Sequence, residues 1–262
     1  MNDEQYEAAR AGLAAARQGA RRIEPLPAAW IPDSLEVAAR LQLAVAADLG
    51  EIRGWKISGL TADQQRAMGV PRPLSGPLLA PWFGASNATF TLAGFIAPRL
   101  ECEFAFELAR DLPARATPYS RTEVEAAIGA LRIGVEIVDS RLPAGSPVPM
   151  ELADGLNNGG FVVGAASSAW RTVRYAEQAI VLRRRHDGSE TELARGDGRA
   201  VLDGDPVGAV VLLANLPSVI TRGLRAGDVV TTGSCTGAVP VPGRGDYEAD
   251  FGSLGTVRLR FD

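Results

Sequence analysis

The chain has 262 residues, 46% of them hydrophobic and 22% charged, with a formal net charge of -4. That length accommodates one β-rich or α/β domain with a large core, and the mixed composition excludes an extended disordered chain. The acidic balance excludes nucleic acid as a partner, since no Lys/Arg cluster is interleaved with aromatics and the densest basic run, Arg183 to Arg185, is followed at once by Asp187 and Glu190.

Two cysteines, Cys102 and Cys235, are too few for a disulfide framework and lack metal-motif spacing. The N-terminal stretch is acidic, then alanine-rich, then basic, unlike a signal peptide, and no run of 18 or more apolar residues exists. The expectation is a soluble cytoplasmic protein with no membrane partner.

In chain order, Tyr6, Ala9, Leu13 and Ala16 recur at helical spacing over residues 2–19. A second helix begins at "PDSLEV", with Asp33 as the expected N-cap, Glu36 closing a capping box and Gly50 ending it. "IRGWKI" reads as a strand carrying Lys56, and "TADQQRAM" as a short helix closed by Gly69. "VPRPLSGPLLAPWF" reads as an ordered proline-rich connection.

The strand over residues 100–109, within "PRLECEFAFELARDLP", alternates. Glu101, Glu103 and Glu107 share one face, and Cys102, Phe104, Phe106 and Leu108 the other. "SRTEVEAAIGAL" reads as a helix with a Ser120/Glu123 capping box. "RIGVEIVDSR" follows as a strand with Ile133, Val135 and Ile137 on one face and Gly134, Glu136 and Val138 on the other. "DGLNNGG" is a turn cluster feeding the strand "FVVG". Residues 178–194 read as a hairpin turning at Asp187 and Gly188, and Asp205 and Pro206 open an apolar helix running to about Thr221. "GDVVTTG", "GAVPV", "DYEADF" and "TVRLRF" supply the last strands. The class is α+β, mostly β, without the alternation of a doubly wound nucleotide fold.

Glu136 lies on a strand whose other face is branched aliphatic, so its carboxylate is expected to be partly buried. A buried carboxylate must be protonated, paired or metal-bound. Three converging carboxylates repel unless a cation sits among them, and hard oxygen donors without His or Cys select Mg²⁺, Mn²⁺ or Ca²⁺ over zinc.

"GWKISGLT", "PRLECEF", "VEIVDSR", "AD" with "GGFVVG", "LRAGDVVTTGSCTGAVPV" and "DFGSLGTVRLRF" occur in order over residues 35–262. This set resembles the 2-keto-4-pentenoate hydratase and 4-oxalocrotonate decarboxylase branch of the fumarylacetoacetate hydrolase superfamily. The resemblance implies twisted β-sheets rolled around a central strand with peripheral helices, and a homo-oligomer. It divides the chain into a helical lead-in with the Lys56 strand (1–70), packed on a catalytic domain (71–262). It implies one divalent cation, Mg²⁺ or Mn²⁺, held by Glu101, Glu103 and Glu136, with Glu107 a solvated or salt-bridged neighbour. Lys56 and Asp154 fall on catalytic positions, and Leu74, Asn157, Asn158 and Thr236 on substrate-binding ones.

The implied activity is that of a metal-dependent lyase: a hydratase adding water to a short 2-hydroxy-dienoate or 2-oxo-enoate from aromatic ring cleavage. Leu74 stands where hydratases of the family carry an acidic residue. That departure keeps a second reading open, decarboxylation of a 2-oxo-enedioate; a third is a non-catalytic 2-oxo-acid binding protein. Hydrolysis of a C–C bond, which in related hydrolases uses a His-Glu pair, is disfavoured because the lone histidine, His186, falls in a hairpin turn. "GSCTG" around Cys235 does not form a nucleophile elbow either, since no histidine follows it.

Overall fold

The structure is a computed structural model describing residues 1–216, 219 and 222–262. It begins with α1 (Asp3–Gln18), α2 (Leu35–Leu49), β1 (Ile52–Ser58) and α3 (Ala62–Met68), followed by β2 (Leu74–Leu79), β3 (Phe83–Ala85) and β4 (Ala88–Phe90). The middle holds β5 (Arg99–Leu108), α4 (Arg121–Ala127), β6 (Ile128–Val138), α5 (Val148–Ala153) and β7 (Asn158–Ser167). The hairpin of β8 (Ala179–His186) and β9 (Ser189–Asp197) precedes α6 (Pro206–Ala214). The C-terminal strands are β10 (Val229–Ser234), β11 (Val239–Pro240), β12 (Gly245–Asp250) and β13 (Thr256–Phe261). The α+β class, richest in strand, is the one observed.

Among the described residues the strands form two sheets, one ordered β2-β1-β10-β5-β6-β7-β3, with β11 attached to β5, and one ordered β4-β13-β12-β8-β9. The main core lies between them. Phe104 and Phe106 of β5, Ile133 and Val135 of β6, and Trp55 of β1 are all buried there with Tyr247 and Phe261 of the smaller sheet. The alternation of β5 thus dictates its burial, since aliphatic and aromatic side chains leave water on one face. The opposite face of the larger sheet carries Lys56, Glu101, Glu103 and Glu136. On that side α1, α2 and α5 pack together through Leu13, Leu41, Val45 and Met150, and α2 and α5 reach β2 through Ala38, Leu152 and Leu74.

Several elements differ from the sequence reading. The proline-rich connection contains β2, buried throughout and antiparallel to β1. It tolerates Pro77 because it ends the sheet, where a missing N–H breaks no ladder on the outer side. The N-cap of α2 is Ser34 rather than Asp33: its backbone is extended and its hydroxyl accepts from Val37 N at 3.3 Å. Helix α4 stops at Ala127 because Ile128 onward pairs with β5. Helix α6 ends at Ala214, where the Asn215 side chain caps the Val211 carbonyl at 3.0 Å; the expected end near Thr221 lies outside the described residues. The 70/71 boundary separates β1 from β2, which are neighbours in one sheet, so the sheet runs across it.

Candidate metal and substrate site

Strands β5 and β6 run antiparallel with Glu101 opposite Glu136 and Glu103 opposite Gly134, so the register gathers the three carboxylates. One oxygen from each lies within 4.8 Å of the others. Glu103 is 1% exposed and Glu136 fully buried. Glu103 Oε2 accepts from Gly233 N at 2.8 Å, which ties the cluster to β10. Glu136 Oε1 accepts from Asn158 Nδ2 at 3.1 Å and lies 2.8 Å from Lys56 Nζ, while its Oε2 is buried with no hydrogen-bond partner among the described residues.

Burial pushes Glu103 well above the usual carboxylate range, and the charges of Glu136 and Glu101 push it further. Glu101 is raised in the same way, first by burial and then by Glu136. Three carboxylates beside one ammonium leave a formal excess of two negative charges. A divalent cation fits this site on two counts: it cancels that excess, and the partnerless Glu136 Oε2 is an oxygen donor awaiting a positive partner.

Lys56 lies on the face of β1 that looks toward this cluster. Burial alone pulls its pKa down, but Glu136, Glu101 and Glu103 outweigh that, so the side chain is held as an ammonium. Its Nζ also donates to Leu156 O at 3.2 Å. The close approach of that segment depends on Gly76, which pairs with Lys56 in the ladder; a Cβ there would sit 2.5 Å from Gly155 O.

The segment from Asp154 to Asn158 connects α5 to β7 through three successive positive φ angles, 79° at Gly155, 53° at Leu156 and 59° at Asn157. Non-glycine residues held this way in a row are costly and persist only when their surroundings impose it. The Asp154 carboxylate, expected among the catalytic groups, does not reach the cluster. It is buried against Arg141, whose Nε donates to its Oδ1 at 3.1 Å. Burial pushes Asp154 up in pKa and Arg141 opposes the shift.

The expected substrate-binding residues divide. Asn157 lines the cavity beside Lys56, with its Oδ1 buried and unpartnered, whereas Asn158 turns inward to hold Glu136. Leu74 shares the Lys56 face of the sheet but is packed beneath Leu156 with Ala38 and Leu152, so Leu156 forms the wall in its place. The Thr236 hydroxyl accepts from Cys102 N at 3.2 Å and donates to Gly237 O, which commits it to shaping its loop. The neighbouring Ser234 and Gly237 line the cavity.

That cavity has a volume of about 490 Å³. Glu101 and Lys56 stand at its floor, and Gln64, Ala67 and Met68 of α3 form one wall. Sequence reading expected the α3 helix but gave it no part in the site, and it gave Arg141 none, because neither carries a residue whose chemistry marks it as functional. Glu107 is the salt-bridged bystander expected, paired with Arg132 Nε at 2.8 Å. His186 is exposed on the β8–β9 hairpin beside Asp187. Both cysteines are buried, and burial pushes the Cys102 thiol up to about 12, which removes it as a nucleophile.

The chain is 30% identical over 266 residues to a 2-keto-4-pentenoate hydratase of Paraburkholderia phymatum, an alignment covering 99% of this chain and 98% of that protein. It is also 30% identical over 205 residues, 78% of its length and 76% of the relative's, to a 4-oxalocrotonate decarboxylase of a Pseudomonas species. The solved structure of 4-oxalocrotonate decarboxylase from Pseudomonas putida G7, complexed with magnesium and adipate, superposes with a TM-score of 0.86. It covers 100% of this chain and 99% of that one at 24% identity, a likeness of fold. A scan against protein-family profiles finds no match. Similarity running end to end at this identity settles the family: the chain belongs to the 2-keto-4-pentenoate hydratase and 4-oxalocrotonate decarboxylase family.

Proposed function

We propose that the protein is a divalent-metal-dependent hydratase, with Mg²⁺ or Mn²⁺ as the ion, that adds water to a short 2-hydroxy-dienoate or 2-oxo-enoate. The observation that carries this reading is the carboxylate triad within 4.8 Å with an ammonium 2.8 Å from one of its members, of which Glu101 and Lys56 line an open cavity. Glu101, Glu103 and Glu136 would hold the ion, which when bound supplies Lewis-acid polarisation of a 2-oxo acid.

The chain's own groups account for the rest of the chemistry. Lys56, fixed between Glu136 and the Leu156 carbonyl, brings a permanent positive charge to the place where an enolate oxygen gains negative charge. Asn157 offers an amide whose oxygen is otherwise unsatisfied, suited to orienting a water molecule or a substrate hydroxyl. Leu60, Met68 and Val138 give the cavity apolar surface for the carbon chain of such a substrate.

One observation favours a second reading, decarboxylation of a 2-oxo-enedioate. The β2 strand beside Lys56 presents Leu74, Gly76 and Leu78 on the site face, with no acid there to deliver a proton for water addition. The hydratase reading stands first because the relative matched over nearly its whole length is a hydratase. Incubation of the Mn²⁺-loaded protein with 2-hydroxypenta-2,4-dienoate tests it. Loss of dienoate absorbance without CO₂ is expected. CO₂ release from 2-oxohex-3-enedioate without dienoate hydration would replace hydratase by decarboxylase, and 2-oxo-acid binding without turnover of either would make the protein a binding protein. The same resemblance supports a homo-oligomer, for which light scattering should give a mass of at least two chains.

A further inference from the structure

The turn between Asp154 and Asn158 carries two contacts on which the site depends: Leu156 O receives the Lys56 ammonium, and Asn158 Nδ2 holds Glu136 Oε1. With three residues in the left-handed region, two of them not glycine, it would relax if its ends were free. Both ends are gripped by one guanidinium. Arg141, 2% exposed, donates from Nη2 to Asp154 O at 2.7 Å and from Nη1 to Asn158 O at 2.9 Å, and Nη1 also reaches Asp139 O. Its Nε takes the Asp154 carboxylate, so all three nitrogens are spent on the turn and the end of β6.

A second arginine arrives from the other end of the sequence. Arg17, on the last turn of α1 and 8% exposed, donates to Gly159 O at 3.0 Å and stacks over the Trp82 ring at 4.3 Å. Among the described residues no carboxylate pairs with it directly. Burial, and then the charge of Arg141, pull its pKa well down. Burying a guanidinium there without a paired carboxylate is costly in desolvation. Its single strong hydrogen bond goes to the residue immediately after Asn158.

We propose that Arg141 and Arg17 are positioning residues that fix the segment 154–159 and, through it, the place of the Lys56 ammonium and the Glu136 carboxylate. The proposal rests on the reading of the site given above, and it makes α1 part of the active-site framework.

Arg141→Lys keeps a positive charge beside Asp154 but cannot bridge three residues, and Arg17→Met keeps the stacking bulk but not the hydrogen bond. Each variant is expected to weaken Mn²⁺ binding to the metal-free protein roughly tenfold by calorimetry, and to lower kcat by roughly tenfold with little change in KM. Arg222→Met, which breaks the Arg222–Asp228 pair (2.6 Å) at the start of β10, is the control for stability loss alone. It should lower the melting temperature while keeping kcat and Mn²⁺ affinity. Wild-type Mn²⁺ affinity and kcat in Arg17→Met, which decides the matter if Arg141→Lys does not fold, would overturn the proposal. So would equal losses in Arg222→Met.

If the wild-type protein itself binds no Mn²⁺, the proposed function fails, and amide exchange at Leu156 and Asn158 judges the positioning role by itself. Faster exchange in Arg17→Met but not in Arg222→Met supports it, and unchanged exchange sinks it.

Discussion

Glu136 has two oxygens in different circumstances, one shared by Lys56 and Asn158 and one with no partner. The first makes Lys56 a competitor as well as a neighbour of any bound cation, since both draw on the same carboxylate. Glu136→Gln is therefore expected to abolish Mn²⁺ binding in a calorimetric titration. Lys56→Ala should bind Mn²⁺ at least as tightly as the wild type while losing roughly 10²-fold in kcat. Metal-free Lys56→Ala also leaves Glu136 buried and unpaired, which should cost about 3–5 kcal/mol in urea denaturation. Retained turnover in that variant would remove Lys56 from the chemistry. The glutamates were legible in the sequence because alternation alone assigns a strand's faces. The Asp154–Arg141 contact was not legible, because the two come from separate loops and nothing in the pattern around either residue announces the pair.

At the scale of elements, punctuation read from sequence did well where the signal was local. The Ser120/Glu123 capping box forms, Gly69 closes α3 in the left-handed conformation, and Asp187–Gly188 turns the β8–β9 hairpin with φ of 49° and 76°. It failed at β2, where prolines on both sides of Leu74 and within the strand mimic a loop; the deciding fact, that β2 lies at the end of a sheet, is tertiary. That strand brings Gly76 against the Gly155 carbonyl. Gly76→Ala should destabilise the protein by about 1–3 kcal/mol, because the obstacle is backbone and cannot rotate away. Turnover should fall with it, as the displaced turn carries the Leu156 acceptor of Lys56. Urea denaturation and steady-state rates read the two effects, and an alanine variant with wild-type stability would show that the turn has room to shift.

For the whole molecule, the fold class could be read from the sequence but the strand order could not, since β10 separates β1 from β5 and comes from the last quarter of the chain. Metal binding should couple to global stability. Mn²⁺ at a hundredfold excess over its Kd should add about 2.7 kcal/mol, which for a chain of this length is a rise of roughly 5–10 °C in melting temperature. The chelator EDTA should reverse the rise and Glu136→Gln should show none; an unchanged wild-type melting curve would count against metal binding to the folded state. The position of β10 also dictates an order of events during synthesis. Glu101, Glu103 and Glu136 lie on adjacent strands close in sequence and can pair early. Lys56 cannot take its place until residues 229–230 have emerged to pair with Gly54 and Trp55, although its own strand is made long before. A nascent chain is therefore expected to gather its acidic cluster before Gly233 and the Lys56 ammonium are in place, so that the site is completed among the last acts of folding.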